Sequence, residues 1–408
     1  MLYFKNSELA YTYHVSVRTV RNWIEAAKQG KLELDLHSQG NKTYVSNTSR
    51  NLSTIEQLVE RGKKYRPHRA VKTVTPKPEF YQLFNDAQIY DIIRSINLYK
   101  EIPTQYSYFD GGAEQWDKYA QRLALEETPN NLTSTAKLLE YNYDYLEAAL
   151  SNYKTINVID IGVGNALPIK GLISFLLQKK KMGRYIALDI SPSMLEIAKK
   201  NVTAWFEGKV LFESQAIDIS KEGFTDVLVD EYLQDNAEDI GNIVLFLGGS
   251  IQGFRDPRAV MRRIHDSMAE NALFLLSQKL DTENSRRYFD FNADSEKKNR
   301  LPAQDRFLTD ILGIDEPLYD VETGYDHKKN ERFIKINLNI ALSLEFKFGQ
   351  NSRTLAFDKG ESLLMWRAHQ NSASEVIDQL EQSGFYVLQS NQTKDQEYLL
   401  TISRIKRT

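Results

Sequence analysis

The chain has 408 residues and no cysteine. That excludes disulfides, thiolate metal sites and a cysteine nucleophile, and it suits a reducing compartment. Histidine is scarce. The six histidines show no HxxxH or HxH spacing, so no histidine-built metal centre is expected. No apolar run approaches the length of a membrane span, and the start, Met1-Leu2-Tyr3-Phe4-Lys5, is too short and too polar for a signal peptide. A cytoplasmic location without a membrane partner is therefore the expectation.

What is present is ordinary in bulk and uneven in detail. Hydrophobic residues make up 41% and charged residues 26%, which fits a globular protein of two or three domains. The net charge of -3 hides a split. Residues 1–80 hold 14 Lys+Arg against 7 Asp+Glu, a net of +7, and the remainder holds 38 against 48, a net of -10. A basic head with an anionic partner, attached to an acidic body, is one reading; a solvated tail is the other.

The head has a pattern beyond its charge. Asn6 or Ser7 can cap a short helix through Tyr13. His14-Val15-Ser16 then turns, with Ser16 as the next N-cap, and a helix runs from Val17 to about Gln29, with Gly30 as its stop. Val17, Val20, Ile24 and Ala27 recur at helical spacing, leaving Arg18, Thr19, Arg21 and Asn22 elsewhere on the surface. Leu32 to Leu36, a turn at Ser38 to Asn41, and Lys42 to Val45 read as a hairpin, followed by a helix from Ser53 to Arg61. Leu9-Ala10, Val15-Ser16, Thr19-Val20-Arg21 and Trp23 together resemble the MerR and excisionase type of winged helix-turn-helix, with His14 where that type has glycine. The resemblance implies DNA binding, with Arg18, Thr19, Arg21, Asn22 and Lys42 as contacts, and a homodimer, since such domains often work in pairs. A three-helix protein-interaction module fits the same pattern. Residues 63–79, basic and proline-containing, read as a linker.

In the body, Phe80 to Leu98, Trp116 to Leu125 and Thr133 to Leu150 read as helices, with an aromatic turn at Tyr106 to Gly112. Tyr108 and Asp110 are lid candidates. Val158 to Asp189 reads as strand, glycine turn, helix, strand, closed by an acid. Such a unit holds a nucleoside: glycine backbone approaches the ligand, and the acid takes ribose hydroxyls. The turn is Asp160-Ile161-Gly162-Val163-Gly164-Asn165-Ala166-Leu167. A dinucleotide fingerprint wants a third glycine where Leu167 stands, and Asp160 suits a pyrophosphate poorly. An acid there suits a ligand with a positive amino-acid end, which S-adenosylmethionine has. Gly162 and Gly164 would admit it, Asp160 would face its ammonium side, and Asp189 would take the ribose. Asp218, after the next strand, would meet the adenine. Ile243 to Ser250 reads as a buried strand ending at Gly248-Gly249, on the edge where ligands bind.

Phe246-Leu247-Gly248-Gly249-Ser250-Ile251 and Tyr185 to Ser191 resemble the histidine-specific S-adenosylmethionine-dependent methyltransferases, over about residue 105 to the end. The Tyr108-Phe109-Asp110 and Phe357 to Glu361 segments belong to that resemblance. It implies Gly162, Asp189, Asp218 and Ile219 as cofactor contacts, with Lys170 as the lysine after the turn. Three positions depart. Gly253 stands for the family's substrate-gripping asparagine, Met365 and Arg367 for its Glu-x-Ser pair, and Glu127-Thr128 for its tyrosine pair. The cofactor half is kept and the histidine grip is not.

The expected architecture is α/β. It comprises a winged helix-turn-helix (1–62), a linker (63–79) and lid helices with a doubly wound Rossmann-like core (80–280). An inserted α+β substrate domain (281–366) and a return to the core sheet (367–408) follow. Residues 281–301 read as a helix carrying Tyr288, Phe289 and Phe291 as lid candidates; Tyr108, Tyr288 and Arg367 are the substrate-side candidates. Residues 332–348 read as one long hairpin-forming strand. Two functions fit. One is an N-methyltransferase acting on an amino acid, amine or peptide other than histidine, with DNA held by its head. The other is a DNA-binding regulator whose body senses a metabolite without turnover. No catalytic triad is expected, and no Asn-Pro-Pro-Tyr or Asp-Pro-Pro-Tyr motif of base methylation occurs.

Overall fold

The computed structural model describes residues 3–13, 15–40, 42–65, 71–228, 237–290, 301, 303–348 and 351–406. His14, Asn41 and Phe291 lie outside them, as do the side chains of Tyr288 and Phe289. Residues 1–71 and 72–408 form two compact units.

In the first unit, β1 (Tyr3–Phe4), β2 (Leu36–Gln39) and β3 (Lys42–Ser46) form an antiparallel sheet, with β3 in the middle. Helices Asn6–Thr12, Val17–Lys28 and Ser49–Tyr65 pack on it. The Ser16 hydroxyl accepts from the Thr19 amide at 3.0 Å and starts the second helix. Gly30, at φ +67°, ends it. Leu9, Val20, Ile24, Val45 and Ile55 are buried together. Buried Asn51 fixes how the chain enters and leaves the hairpin: its amide bonds the Asp35 N–H and the Asp35 and Ser46 carbonyls at 2.8–2.9 Å. The hairpin strand starts at Leu36, not Leu32, and the third helix is longer than its apolar spacing implies.

The second unit begins inside the expected linker. Val71–Val74 is a strand, β4, despite the flanking prolines. Helix Pro78–Leu83 follows and stops at Phe84. Asn85 then caps a separate helix, Asp86–Arg94, through a reciprocal pair with Gln88. This cap divides what periodicity alone reads as one helix. Helices Gly111–Ala124, Asn131–Tyr141 and Tyr143–Ala149 come next. Buried Asn142 separates the last two, and its amide donates to the Leu138 carbonyl at 2.7 Å.

The main sheet has seven strands. These are β5 (Thr155–Ile161), β6 (Met182–Asp189), β7 (Leu211–Ala216), β8 (Ile240–Phe246) and β9 (Ala272–Lys279), with the later β15 (Phe385–Gln392) and β16 (Tyr398–Ile405). Their order is β15-β16-β9-β8-β5-β6-β7. The first five run parallel, and β16 and β15 add antiparallel at the edge, the expected return of the C-terminus. All seven residues of β8 are buried, as a central parallel strand covered on both faces requires. The chain leaves β5 towards β6 on one side and later takes up β8 on the other. This reversal opens a crevice at the carboxyl ends of β5 and β8.

A second core lies beside this sheet. The run 332–348 is two strands, β11 (Glu331–Leu338) and β12 (Ala341–Phe348), which do not pair. β11 joins β10 (Tyr319–Asp326) and β14 (Ser362–His369), while β12 joins β13 (Asn351–Phe357) and β4. Between them the Asn339 amide is held by the Leu318 carbonyl, 2.8 Å away, so the chain crosses between sheets instead of folding back. Both sheets bury side chains in one cluster, with Ile336 and Leu344 beside Phe80, Ile92 and Tyr106. The lid helices of residues 78–94 therefore belong to this second core, and the insertion is completed by chain that precedes the main sheet. The Phe346 ring, fully buried, lies 5.8 Å from that of Phe80. Phe346→Ala should cost about 3–5 kcal/mol, read as a lower urea midpoint. An unchanged midpoint would show that this core does not hold the unit together.

Candidate cofactor site

The site starts with backbone. After β5 the chain takes positive φ at Gly162 (+67°), Gly164 (+53°) and Ala166 (+61°). Glycine accepts the left-handed region without strain. Space is also tight. A Cβ on Gly164 would lie 2.8 Å from the Trp116 ring, and one on Gly162 would lie 3.6 Å from Ser250 Oγ. Trp116 thus covers the turn from helix Gly111–Ala124. Ser250, after Gly248-Gly249, reaches it from β8. The side chain of buried Asn165 donates to Asp117 at 2.8 Å, tying the turn to the same helix.

Two carboxyls sit at this turn. Asp160 is only 4% exposed, beneath the turn, and accepts from the Tyr185 hydroxyl at 2.8 Å. Burial pushes it up to about 7; Tyr185 opposes this and Asp189 adds to it. Asp189, 9% exposed, ends β6. Burial pushes it up to about 6, and the amides of Ser191, Gly164 and Ile190 hold it back from rising further. The Ser191 amide lies 2.9 Å from its Oδ1. A third acid, Asp305 on helix Ala303–Ile311, is raised to about 6 by burial alone. It faces Tyr108. Burial, then Asp305 and Asp189, push the Tyr108 phenol well above its usual range. Among the described residues no ion pair involves Asp160, Asp189 or Asp305. The pocket is therefore uncompensated acid, suited to a ligand carrying positive charge and hydroxyl donors.

Tyr108 is anchored here by its carbonyl, which accepts from the Ser191 hydroxyl, and its ring meets Trp116 edge-on at 6.4 Å. Asp110 is exposed at φ +38°, a strained value for a residue with a side chain, and its amide donates to Ser193 Oγ at 3.1 Å. Gly248 (φ +73°) lies at the carboxyl end of β8. Its amide donates to Ser277 Oγ at 3.0 Å, and its carbonyl accepts from Asn131.

The other candidates lie differently. The Asp218 carboxylate is held by the Ser220 hydroxyl at 2.6 Å and Lys221 at 2.9 Å. Lys221 also bridges to Asp91 at 2.9 Å, which joins the loop after β7 to helix Asp86–Arg94. Ile219 is buried among the residues beneath the sheet. Lys170 is exposed, its ammonium 4.9 Å from the Trp205 ring centroid, and is not gathered with the acids. Arg367 pairs with Glu101, and with Glu331 at 3.5 Å. Met365 is buried in the second core. Gly253 sits near them, its missing Cβ 3.8 Å from the Arg367 carbonyl. Trp116, Asn131 and Asp305 were not legible as site residues. Only Trp116 carried a signal, as an aromatic in the first helix after the Gly111-Gly112 turn.

The parallel sheet with its glycine turn, acid-closed second strand and crevice at β5 and β8 defines a Rossmann-like methyltransferase. A model of the family described as histidine-specific methyltransferase, SAM-dependent, matches residues 87–405, so the chain belongs to that family. S-adenosylmethionine is its cofactor. No curated protein matches the sequence. Among solved structures, an S-adenosylmethionine-dependent methyltransferase from Clostridium acetobutylicum ATCC 824 has 11% identity and a TM-score of 0.33, over 79% of this chain and 100% of that one. Magnesium protoporphyrin IX methyltransferase from Synechocystis PCC 6803, with bound SAH, has 10% identity and a TM-score of 0.38, over 74% and 97%. The glycopeptide N-methyltransferase MtfA, complexed with S-adenosyl-L-methionine, has 12% identity and a TM-score of 0.32, over 69% and 90%. Likenesses this distant carry no argument about this chain.

The residues present fit the cofactor. Gly162 and Gly164 bring backbone without a side chain to the turn, Asp189 could accept its ribose hydroxyls, and Asp160, buried beneath the turn, would face its charged end. Gly164→Ala should lower affinity for S-adenosylhomocysteine at least about tenfold by calorimetry, because its Cβ meets Trp116 in a strained conformation. Unchanged affinity would remove the turn from the site.

The two raised carboxyls also set a pH dependence. Between about pH 4 and about pH 7 the folded ligand-free protein binds more protons than the unfolded chain, so their contribution to stability falls as pH rises through that window. Asp160→Asn should remove part of that slope, read as the difference between wild-type and variant melting temperatures from pH 4 to 8. Parallel curves would show that Asp160 does not titrate there.

Proposed function

We propose that the body of this chain N-methylates an amino acid, amine or peptide other than histidine. The observation that carries this reading is the uncompensated acid around the glycine turn, in a family member whose histidine-gripping positions are replaced. Met365 is buried, Arg367 is occupied by two glutamates, and Gly253 has no side chain. When bound, the cofactor supplies an electrophilic methyl group on a sulfonium. The chain's own part is placement: Asp189 orients the nucleoside, Trp116 and Tyr108 close over the turn and exclude water, and the acceptor nitrogen is held in line. Positioning of this kind supplies much of the acceleration in a displacement that needs little acid–base help.

The first unit, read as a winged helix-turn-helix, binds DNA. Arg18, Arg21 and Asn22 are exposed on its second helix, Thr19 is half-buried beside them, and Lys42 is exposed on the hairpin. An arginine-bearing second helix packed by Val20 and Ile24 supports base or phosphate contacts, and Lys42 suits a phosphate. The protein is expected in the cytoplasm, with a homodimer as its DNA-bound form. The commitment of Arg367 to Glu101 and Glu331 favours a second reading, a DNA-bound regulator that senses a metabolite without turnover.

Turnover separates the two readings. Incubated with S-adenosylmethionine and an amine and amino-acid library, the wild type should form a methylated product by mass spectrometry, and Asp189→Ala should lose at least about a hundredfold in rate. Cofactor binding without any product would leave the regulator. On DNA, Arg18→Ala/Arg21→Ala should abolish the footprint of the wild type; an undiminished footprint would remove the DNA assignment.

A further inference from the structure

Beside the turn at Gly248-Gly249 lies a buried acceptor with no donor among the described residues. Asn131, first residue of helix Asn131–Tyr141, lays its side chain against this turn: its Nδ2 donates to the Gly248 carbonyl, and a Cβ on Gly249 would lie 3.4 Å from that nitrogen. The orientation of the amide is fixed by chemistry, because a carbonyl can only accept. Asn131 Oδ1 is then the amide atom that the turn does not use. It is buried and accepts no hydrogen bond among the described residues. An unmade bond on a buried acceptor is costly, so such an atom implies a donor that arrives from elsewhere.

The place narrows the donor. Ser250, two residues past Gly248, is the nearest neighbour of Gly162 in the cofactor turn. The Asn131 acceptor therefore stands on the β8 side of the crevice, across from the glycine turn on β5. The framework behind it is rigid. Thr135 Oγ1 lies 3.1 Å from Ser277 Oγ, which accepts from the Gly248 amide at 3.0 Å, and the Gly249 amide donates to the Ser277 carbonyl at 3.0 Å. Gln252 braces the far side, its amide donating to the Lys279 and His369 carbonyls at 2.9 and 2.7 Å.

We propose that Asn131 Oδ1, held over the Gly248-Gly249 turn, is a binding site for an amine N–H at the mouth of the cofactor pocket. This rests on the methyltransferase reading and deepens it. Two ligands carry that chemistry, the ammonium of the cofactor's amino-acid end and the amine of the methyl acceptor.

The test uses the full chain and three probes by calorimetry: S-adenosylhomocysteine, 5′-methylthioadenosine, which lacks the amino-acid end, and a panel of L-amino acids and primary amines titrated into the S-adenosylhomocysteine complex. If the cofactor's ammonium is the ligand, Asn131→Ala weakens S-adenosylhomocysteine about tenfold and leaves methylthioadenosine unchanged. If the acceptor's amine is the ligand, both nucleosides bind as before and an amine bound by the wild-type complex is lost about tenfold or more. The proposal is overturned if Asn131→Ala changes none of the three, or if it weakens methylthioadenosine as much as S-adenosylhomocysteine. Failure of the wild type to bind S-adenosylhomocysteine is a different result: it removes the methyltransferase reading itself, and this site with it.

Discussion

A parallel sheet has to reverse its winding somewhere, and here it does so between β5 and β8. At that boundary two turns built on left-handed glycines meet, with Ser250 against Gly162. Glycine lets the backbones of the two turns approach at this opening, where Ser250 Oγ and the Trp116 ring pack against the first of them. The neighbouring elements follow from that opening. Trp116 lies over one turn, Asn131 over the other, and Asp160 and Asp189 supply charge from beneath and beside the first. Pairing β5 with β6 in register puts Ile161 opposite Leu188, which leaves Asp189 at the lip of the crevice.

The electrostatics depend on the same geometry. Alternation along β5 places Asp160 on the face that holds Ile156 and Val158, in an apolar layer where ionisation is disfavoured. Tyr185 satisfies one oxygen of it, and no cation does so among the described residues. A site of this kind is poorly adapted to being empty and well adapted to a cationic ligand. Arg367 and Lys221 are in the opposite condition. Each is neutralised by two carboxylates, so each joins elements to one another. Lys221 connects the loop of Asp218 to helix Asp86–Arg94, which makes that loop continuous with the second core.

That second core explains how a substrate-side insertion can sit at the crevice. One of its two sheets is completed by β4, and the helices of residues 78–94 pack in the same core, so chain from before the main sheet and chain from after it fold together. Phe307, from helix Ala303–Ile311, lies within 3.0 Å of where a Cβ on Gly112 would stand, which sets that helix directly on the Tyr108 segment. Asp305 reaches Tyr108 through this packing.

Local sequence determined the main-sheet strands, the two glycine turns, the acid closing β6 and the C-terminal return. Each depends on short-range chemistry: continuous apolar runs for buried strands, glycine where φ must be positive, an acid at a strand end. The helix pair of the first unit was equally legible from Ser16 and its apolar spacing. Periodicity could not place residues 332–348, because an alternating run shows that one face is buried and not which strand will pair with it. Nor could it find Asn131, an ordinary helix-start residue until the β8 turn is brought against it. Lys170 and Arg367 show the converse. Their residue types and positions suited ligands, and the structure sets a tryptophan face against the one and two glutamates against the other. The sequence by itself determined that a glycine turn follows β5 and which charges flank it. Only the tertiary structure decided which of those charges remain uncompensated, because neutralisation depends on partners distant in the chain.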